Sequence, residues 1–341
     1  MKCTNSKQKT GQKKQRHTLR NALLLAFSVA ALGGGAFGVA FYQVNASGNS
    51  VLQYERQTYN TNLYQGSLFA QDLCVAAENV SLEGFEDEDS LHAAGLFDLD
   101  QEKVLYGFRL YDQLYPASTT KLMTAHLALK YGNPDDIVTV SEHATDFNWD
   151  EVTAGLQAGD QVTLYDLVCG LMLHSGNDCG TAIAEHISGS EEAFAELMNQ
   201  EAAALGATGT HFTNPHGLHD EEHYTTAYDL YLIFNACMQD DAFMEIISME
   251  SYTGTLTGAD GTVRKEEWLP SNYYSLGRVE APDGVKVFGG KTGTTDQAGR
   301  CVILYSEDSE NHPYISVIMG AEDKDFLYEE MNRLLEAGIA H

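Results

Sequence analysis

Apolar positions along the chain change their spacing several times, and each change marks a boundary. Ala22 to Tyr42 reads ALLLAFSVAALGGGAFGVAFY, an uncharged run long enough as a helix to cross a hydrocarbon layer. Residues 43–66 are rich in Asn, Gln, Ser and Tyr and read as a linker. Leu68 to Val80 fits a short helix or strand, and the acidic Glu83 to Asp89 fits a solvated turn. From His92 apolar residues alternate on either side of Asp98-Leu99-Asp100-Gln101, which predicts a β-hairpin closed by Pro116. The period then becomes helical over Ala117 to Tyr131, with an apolar stripe through Leu122, Ala125 and Leu129. A short strand at Ile137 to Val140 precedes helices over Gln161 to Met172, Cys179 to Ile187, Ser190 to Leu205, Thr225 to Cys237 and Ala242 to Ser248. Alternation returns at Gly284 to Phe288, Arg300 to Ser306 and Tyr314 to Gly320, which predicts antiparallel neighbours. A terminal amphipathic helix follows from Asp325 to Ala337.

Strands at both ends around a helical middle predict an α+β fold, in which an antiparallel β-sheet is flanked by helices and carries a mainly helical insertion. The implied organisation is a basic cytoplasmic tail (1–20), a membrane anchor or signal segment (21–42), a linker (43–66) and one catalytic domain (67–341).

Charge sharpens the topology. Lys2, Lys7, Lys9, Lys13, Lys14, Arg16 and Arg20 precede the apolar run with no acid among them, so the tail stays inside and the rest is exported. Cleavage near Val44-Asn45-Ala46 is the alternative to a retained anchor, and it also exports the domain. Without those seven, thirteen Lys or Arg remain against forty-nine Asp or Glu, a net charge near −36. Such a field excludes nucleic acid and anionic lipid surfaces as partners. Of six cysteines, Cys3 lies on the cytoplasmic side; Cys169 and Cys179 are the first pair to test, as a bridge or as two buried thiols.

Three short motifs carry chemistry. In Ser118-Thr119-Thr120-Lys121, positions three apart share a helix face, so the lysine amine can take the serine proton once its pKa is lowered. Ser175-Gly176-Asn177, between two helices, can present a hydroxyl and an amide to a bound peptide. Lys291-Thr292-Gly293, with Thr294 next, sets an ammonium and hydroxyls beside glycines that admit a substrate backbone. The GxxxxGK[ST] spacing of a phosphate loop is missing there. His211, His216, His219 and His223 do not have the HExxH spacing of a zinc site.

The three motifs in this order resemble the SxxK, SxN and KTG set of penicillin-binding proteins and serine β-lactamases. The sequence resembles the low-molecular-mass D-alanyl-D-alanine carboxypeptidases. Tyr115 to Thr124, Leu171 to Asp178, Thr213 to Leu218 and His223 to Leu230 carry that likeness, which spans residues 70 to 337. The resemblance implies a β-lactamase/transpeptidase-like fold, no cofactor and no metal. It makes Ser118 the nucleophile, Lys121 the base, and Ser175 with Lys291 the route of a proton to the leaving D-alanine. It also implies an oxyanion hole from the amides of Ser118 and Thr294. Asn177 would orient the peptide, and Lys291, Thr292, Gly293 and Thr294 would bind it. The implied partners are peptidoglycan stem peptides ending in D-Ala-D-Ala, β-lactams as inhibitors, and the cytoplasmic membrane through the N-terminal segment. A β-lactamase or a non-catalytic penicillin-binding wall protein is the alternative; no ExxxN motif of class A enzymes falls in place, since Glu185 and Glu196 lie in helices directly after the second motif. Two departures stand out. The family arginine beyond the last core strand is missing, because Gly320-Ala-Glu-Asp-Lys-Asp-Phe326 offers only Lys324, and the chain ends soon after the terminal helix.

Overall fold

The first and last strands of the folded region close one sheet. The computed structural model describes residues 72–85 and 91–340; the basic tail, the apolar run, the linker and Cys3 lie outside the described residues. Ala93–Asp98 (β1) and Lys103–Phe108 (β2) form the anticipated hairpin, its turn closed by the Gln101 amide donating to Asp98 Oδ1 at 2.8 Å. Lys286–Thr295 (β7), Gly299–Glu307 (β8) and Pro313–Ala321 (β9) complete an antiparallel sheet in the order β2-β1-β9-β8-β7. The early hairpin is thus laid against the last strand, with Gly95 opposite Val317. The long strand β7 stands at a free edge of the sheet.

β8 and β9 are apolar at successive positions because both faces are covered. Cys301, Ile303, Ile315 and Val317 join the core under the helices, while Val302, Leu304 and Ile318 pack on the terminal helix. That helix, Lys324–Gly338 (α7), starts at Asp323, whose carboxylate accepts from the Phe326 amide at 2.8 Å. It buries Leu327, Met331, Leu334 and Leu335.

The helical layer is Lys121–Tyr131 (α1), Leu164–Cys169 (α2), Asn177–Ser188 (α3), Glu191–Leu205 (α4), Ala227–Cys237 (α5) and Asp241–Ile247 (α6). The stripe predicted for α1 is in fact burial nearly all round: Leu122, Met123, Ala125, Leu127 and Ala128 are fully enclosed, and so are Lys121 and Thr124. The central position of α1 takes its lysine out of water.

Three expectations change. Gln161 to Met172 is not one helix: Gln161–Thr163 is a strand (β4) paired with Ile137–Thr139 (β3). The Thr163 hydroxyl then accepts from the Asp166 amide at 3.0 Å, a cap that starts α2 only after the extended residues. Tyr252–Thr257 (β5) and Val263–Trp268 (β6) form a hairpin that the pattern did not reveal, giving a second sheet ordered β3-β4-β5-β6. Of the β6 side chains only Trp268 is buried, and its ring lies where a Cβ on Gly254 would meet it at 2.3 Å. Between residues 72 and 80 only Val80 pairs, as an isolated bridge to Gly107. Cys74, Cys169, Cys179, Cys237 and Cys301 are separate buried thiols, and burial raises those of Cys74 and Cys301 to about 11.

Candidate active site

A turn locked from behind presents Ser118. Ala117–Thr120 make one 3₁₀ turn after Pro116, and Ala117 sits at φ 48°, a left-handed conformation costly for a residue with a Cβ. The Thr119 hydroxyl donates to Pro116 O at 2.7 Å and the Thr120 hydroxyl to Ala117 O at 2.8 Å. His223 Nε2 lies 2.7 Å from Thr120 Oγ1, and its Nδ1 accepts from the Thr213 amide at 3.0 Å. Because the Thr120 proton is already given to Ala117, Nε2 carries the histidine proton. Burial holds His223 down to about 4, which keeps it in this neutral form. Gly217, at φ +86°, lets the 213–218 loop close behind the turn, since a Cβ there would stand 1.9 Å from Ala117 O.

Lys121 follows on the same face. Its Nζ lies 3.1 Å from Ser118 Oγ, 2.7 Å from Asn177 Oδ1 and 2.5 Å from His216 O. The amide and backbone oxygens can only accept, so they take two N–H bonds. A neutral amine then has one lone pair left, directed to the Ser118 hydroxyl, which is the arrangement a general base requires. Burial, and next the charge of Lys291, hold Lys121 well below the ordinary lysine value.

The second motif arrives through a distorted helix end. α2 widens into a π turn at Gly170–His174, and Ser175 ends it at φ 66°, ψ 29°. A non-glycine residue in this region stores strain, as functional positions often do. Ser175 is buried and accepts from Lys291 Nζ at 3.0 Å; that ammonium also donates to Thr292 O at 2.8 Å. Burial lowers Lys291 to about 7. Asn177 starts α3, its amide N–H donating to Val152 O at 2.8 Å. Its Oδ1 serves Lys121, and its Nδ2 has no protein partner among the described residues.

The third motif lies inside β7 rather than beside a strand, and brings that strand against the nucleophile turn. A Cβ on Gly293 would meet Pro116 O at 2.8 Å and Ser118 N at 3.0 Å, so only glycine allows this approach. Thr294 is exposed at the rim, and the Thr292 hydroxyl lies 2.7 Å from Ser271 Oγ. The site thus holds two hydrogen-bonded groups, Ser118, Lys121 and Asn177 in one and Ser175 with Lys291 in the other, the charge of Lys291 acting on Lys121, with Gly293 packed over Ser118.

Sequence reasoning did not single out the His216 carbonyl, the His223 brace or Asp178. The buried Asp178 carboxylate accepts from the amides of Ala154 (2.8 Å), Leu156 (3.1 Å) and Cys179 (2.9 Å), pinning the 152–156 loop that holds Asn177. Its place directly after Ser175-Gly176-Asn177 was the available signal. Asp178→Ala leaves three buried N–H groups without that acceptor and is expected to cost on the order of 3 kcal/mol. Thermal unfolding reads this, and an unchanged midpoint would show that the loop does not depend on Asp178.

A family model for D-alanyl-D-alanine carboxypeptidases matches residues 85–323. D-alanyl-D-alanine carboxypeptidase DacF of Bacillus subtilis (strain 168) is 33% identical over 250 residues, covering 72% of this chain and 61% of that protein. DacD of Escherichia coli (strain K12) is 32% identical over 290 residues, covering 80% of this chain and 69% of that protein. The chain therefore spans about three-fifths to two-thirds of the length of these relatives. Among solved structures, the Streptomyces K15 DD-transpeptidase superposes with TM-score 0.69 at 24% identity, over 75% of this chain and 99% of its own, a likeness of fold. The D-alanyl-D-alanine carboxypeptidase from Mycobacterium tuberculosis H37Rv gives TM-score 0.67 at 26% identity, over 77% and 97%.

Proposed function

The chain belongs to the D-alanyl-D-alanine carboxypeptidase family, and from that premise we propose that it removes the terminal D-alanine from peptidoglycan stem pentapeptides through an acyl-enzyme on Ser118. The observation that carries this reading is the buried Lys121 amine, 3.1 Å from Ser118 Oγ and bonded to the two acceptors Asn177 Oδ1 and His216 O, which in its neutral form leaves the lone pair for the serine proton. Ser118 Oγ attacks the carbonyl carbon of the penultimate D-alanine and Lys121 takes its proton. Negative charge builds on the carbonyl oxygen between the backbone amides of Ser118 and Thr294. The tetrahedral intermediate collapses with cleavage of the C–N bond, and the proton taken by Lys121 passes by way of Ser175, which Lys291 contacts, to the departing amine, leaving Lys121 neutral again. Water then attacks the ester, Lys121 again accepts a proton, and Ser118 is restored as the shortened peptide leaves.

In this reading the free Nδ2 of Asn177 holds the peptide backbone of the substrate, while Lys291, Thr292, Gly293 and Thr294 line the strand along which it lies. β-Lactams acylate the same serine. The basic segment 1–20 and the uncharged 21–42 support a single membrane anchor followed by the linker 43–66, with the catalytic domain 67–341 outside the cell; cleavage after 44–46 would release that domain instead. The test is D-alanine release from diacetyl-lysyl-D-alanyl-D-alanine by the full chain in detergent. Release establishes the activity, whereas a penicillin adduct without release would leave an acylatable protein with a different role.

A further inference from the structure

Of the two tryptophans, Trp268 is buried and Trp149 is 97% exposed. An indole offers a large, rigid apolar face, and one left wholly in water beside a site is open to whatever binds there. Trp149 is not on a loose tail. With Asp150 it takes the central positions of a four-residue turn, closed by the Glu151 amide donating to Asn148 O at 3.0 Å. The Asn148 amide donates in return to Glu151 Oε2 at 2.6 Å. Both ends of the segment 147–152 are fastened to the catalytic cluster. The Phe147 ring meets His216 edge-on, with centroids 5.6 Å apart, and the His216 carbonyl accepts from Lys121. At the other end Val152 O accepts from the Asn177 amide at 2.8 Å. Three residues of chain span at most about 11 Å, so Trp149 stays close to Val152 and thus to Asn177.

The chemistry of the segment is mixed in a definite way. Val152 is half-exposed, so it adds a second apolar surface beside Asn177. Asp150, next to the indole, is exposed and its carboxylate makes no hydrogen bond or ion pair among the described residues. Asp146 and Glu151 add two more acids within the same few residues, which disfavours an anionic lipid surface as the cover of the indole. An apolar face edged by carboxylates suits an aliphatic chain that ends in a cation, and the indole ring itself attracts an ammonium. In the reading above Ser175 serves the departing amine and Asn177 the peptide that stays attached to Ser118. The residue that precedes the two D-alanines therefore comes beside the segment bonded to Asn177.

We propose that the 147–152 turn selects the side chain of the residue preceding D-Ala-D-Ala, Trp149 and Val152 covering a long aliphatic stem and Asp150 receiving an amine at its end. This assignment rests on the peptidase reading above and names the class of stem peptide that the enzyme prefers. The test measures kcat/KM for three peptides ending in D-Ala-D-Ala, preceded by lysine acetylated only on its α-amine, by diacetyl-lysine, or by acetyl-alanine. The full chain in detergent is compared with Trp149→Ala and Asp150→Asn. Because ratios between peptides are taken within each variant, loss of folded protein cancels from them. The full chain should favour the free amine, then diacetyl-lysine, then alanine. Trp149→Ala should lower the preference for diacetyl-lysine over alanine about 5–20-fold. Asp150→Asn should lower the preference for the free amine over its acetylated form about 2–5-fold. No D-alanine release from any of the three by the unsubstituted chain removes the peptidase reading and this assignment with it. Release at the same kcat/KM from all three overturns the assignment alone. So does a Trp149→Ala variant that slows all three by one factor, which would make the indole a support of the loop.

Discussion

Ser118→Ala should lower D-alanine release by on the order of 10⁴-fold or more and abolish labelling by penicillin, with the fold intact. The size of the effect follows from the arrangement around the hydroxyl. Ser118 is half-buried, and the contact its side chain makes with the protein is the one to Lys121 Nζ at 3.1 Å. The turn that carries it is held by Thr119, Thr120 and His223, none of which the substitution touches. Removing the oxygen thus removes the atom that forms the covalent bond and little else. A measured thermal midpoint near that of the parent, alongside lost turnover, separates this from unfolding. Residual turnover within tenfold of the parent would place the nucleophile elsewhere.

Lys121→Gln should cost about 10³-fold or more in acylation by both peptide and penicillin. The glutamine amide can still donate to Asn177 Oδ1 and the His216 carbonyl, but it has no basic lone pair for the serine proton. The pH dependence gives a sharper reading. A lysine whose pKa in the fold is held below its ordinary value is neutral, and competent as a base, above that lowered value; activity is lost as pH falls through it. Lys291, lowered to about 7, loses its positive charge as pH rises through that region, so the kcat/KM profile of the free enzyme should fall on the alkaline side near there. The bound carboxylate favours the charged ammonium, so the alkaline limb of kcat should lie at higher pH than that of kcat/KM. In Lys121→Gln the acid limb should vanish from whatever rate remains. An unchanged acid limb in that variant would assign the base to another group.

The site was legible where chemistry demands a particular side chain at a particular spacing. Ser118 and Lys121 sit three apart because one helical turn must place an amine on a hydroxyl, and Ser175, Asn177 and Lys291 are brought to the same cluster by α3 and β7. The framework was legible where one face is buried and the other is not, as in α7; β1 is buried throughout, and its hairpin was marked by the polar turn Asp98-Leu99-Asp100-Gln101. It was hidden where that contrast fails. In β6 the order Val263, Arg264, Lys265, Glu266, Glu267 offers water almost every side chain. In β7 the alternation was read only from Gly284 to Phe288, yet the strand runs on through Gly289 and Gly290 to Thr295. The glycines let it pass where a Cβ would meet Ile247 O at 1.9 Å or Ile303 O at 2.0 Å. The His216 carbonyl escaped notice for a different reason: every residue has a backbone oxygen, and only the fold decides which one a buried lysine meets.

The most direct measurement is the mass of the full chain after exposure to benzylpenicillin, followed by peptide mapping of the adduct. The account predicts one penicilloyl group per chain, located on the peptide that contains Ser118 and absent from Ser118→Ala. An adduct on any other residue, or none while D-alanine release continues at its full rate, would contradict an acyl-enzyme built on Ser118 and Lys121.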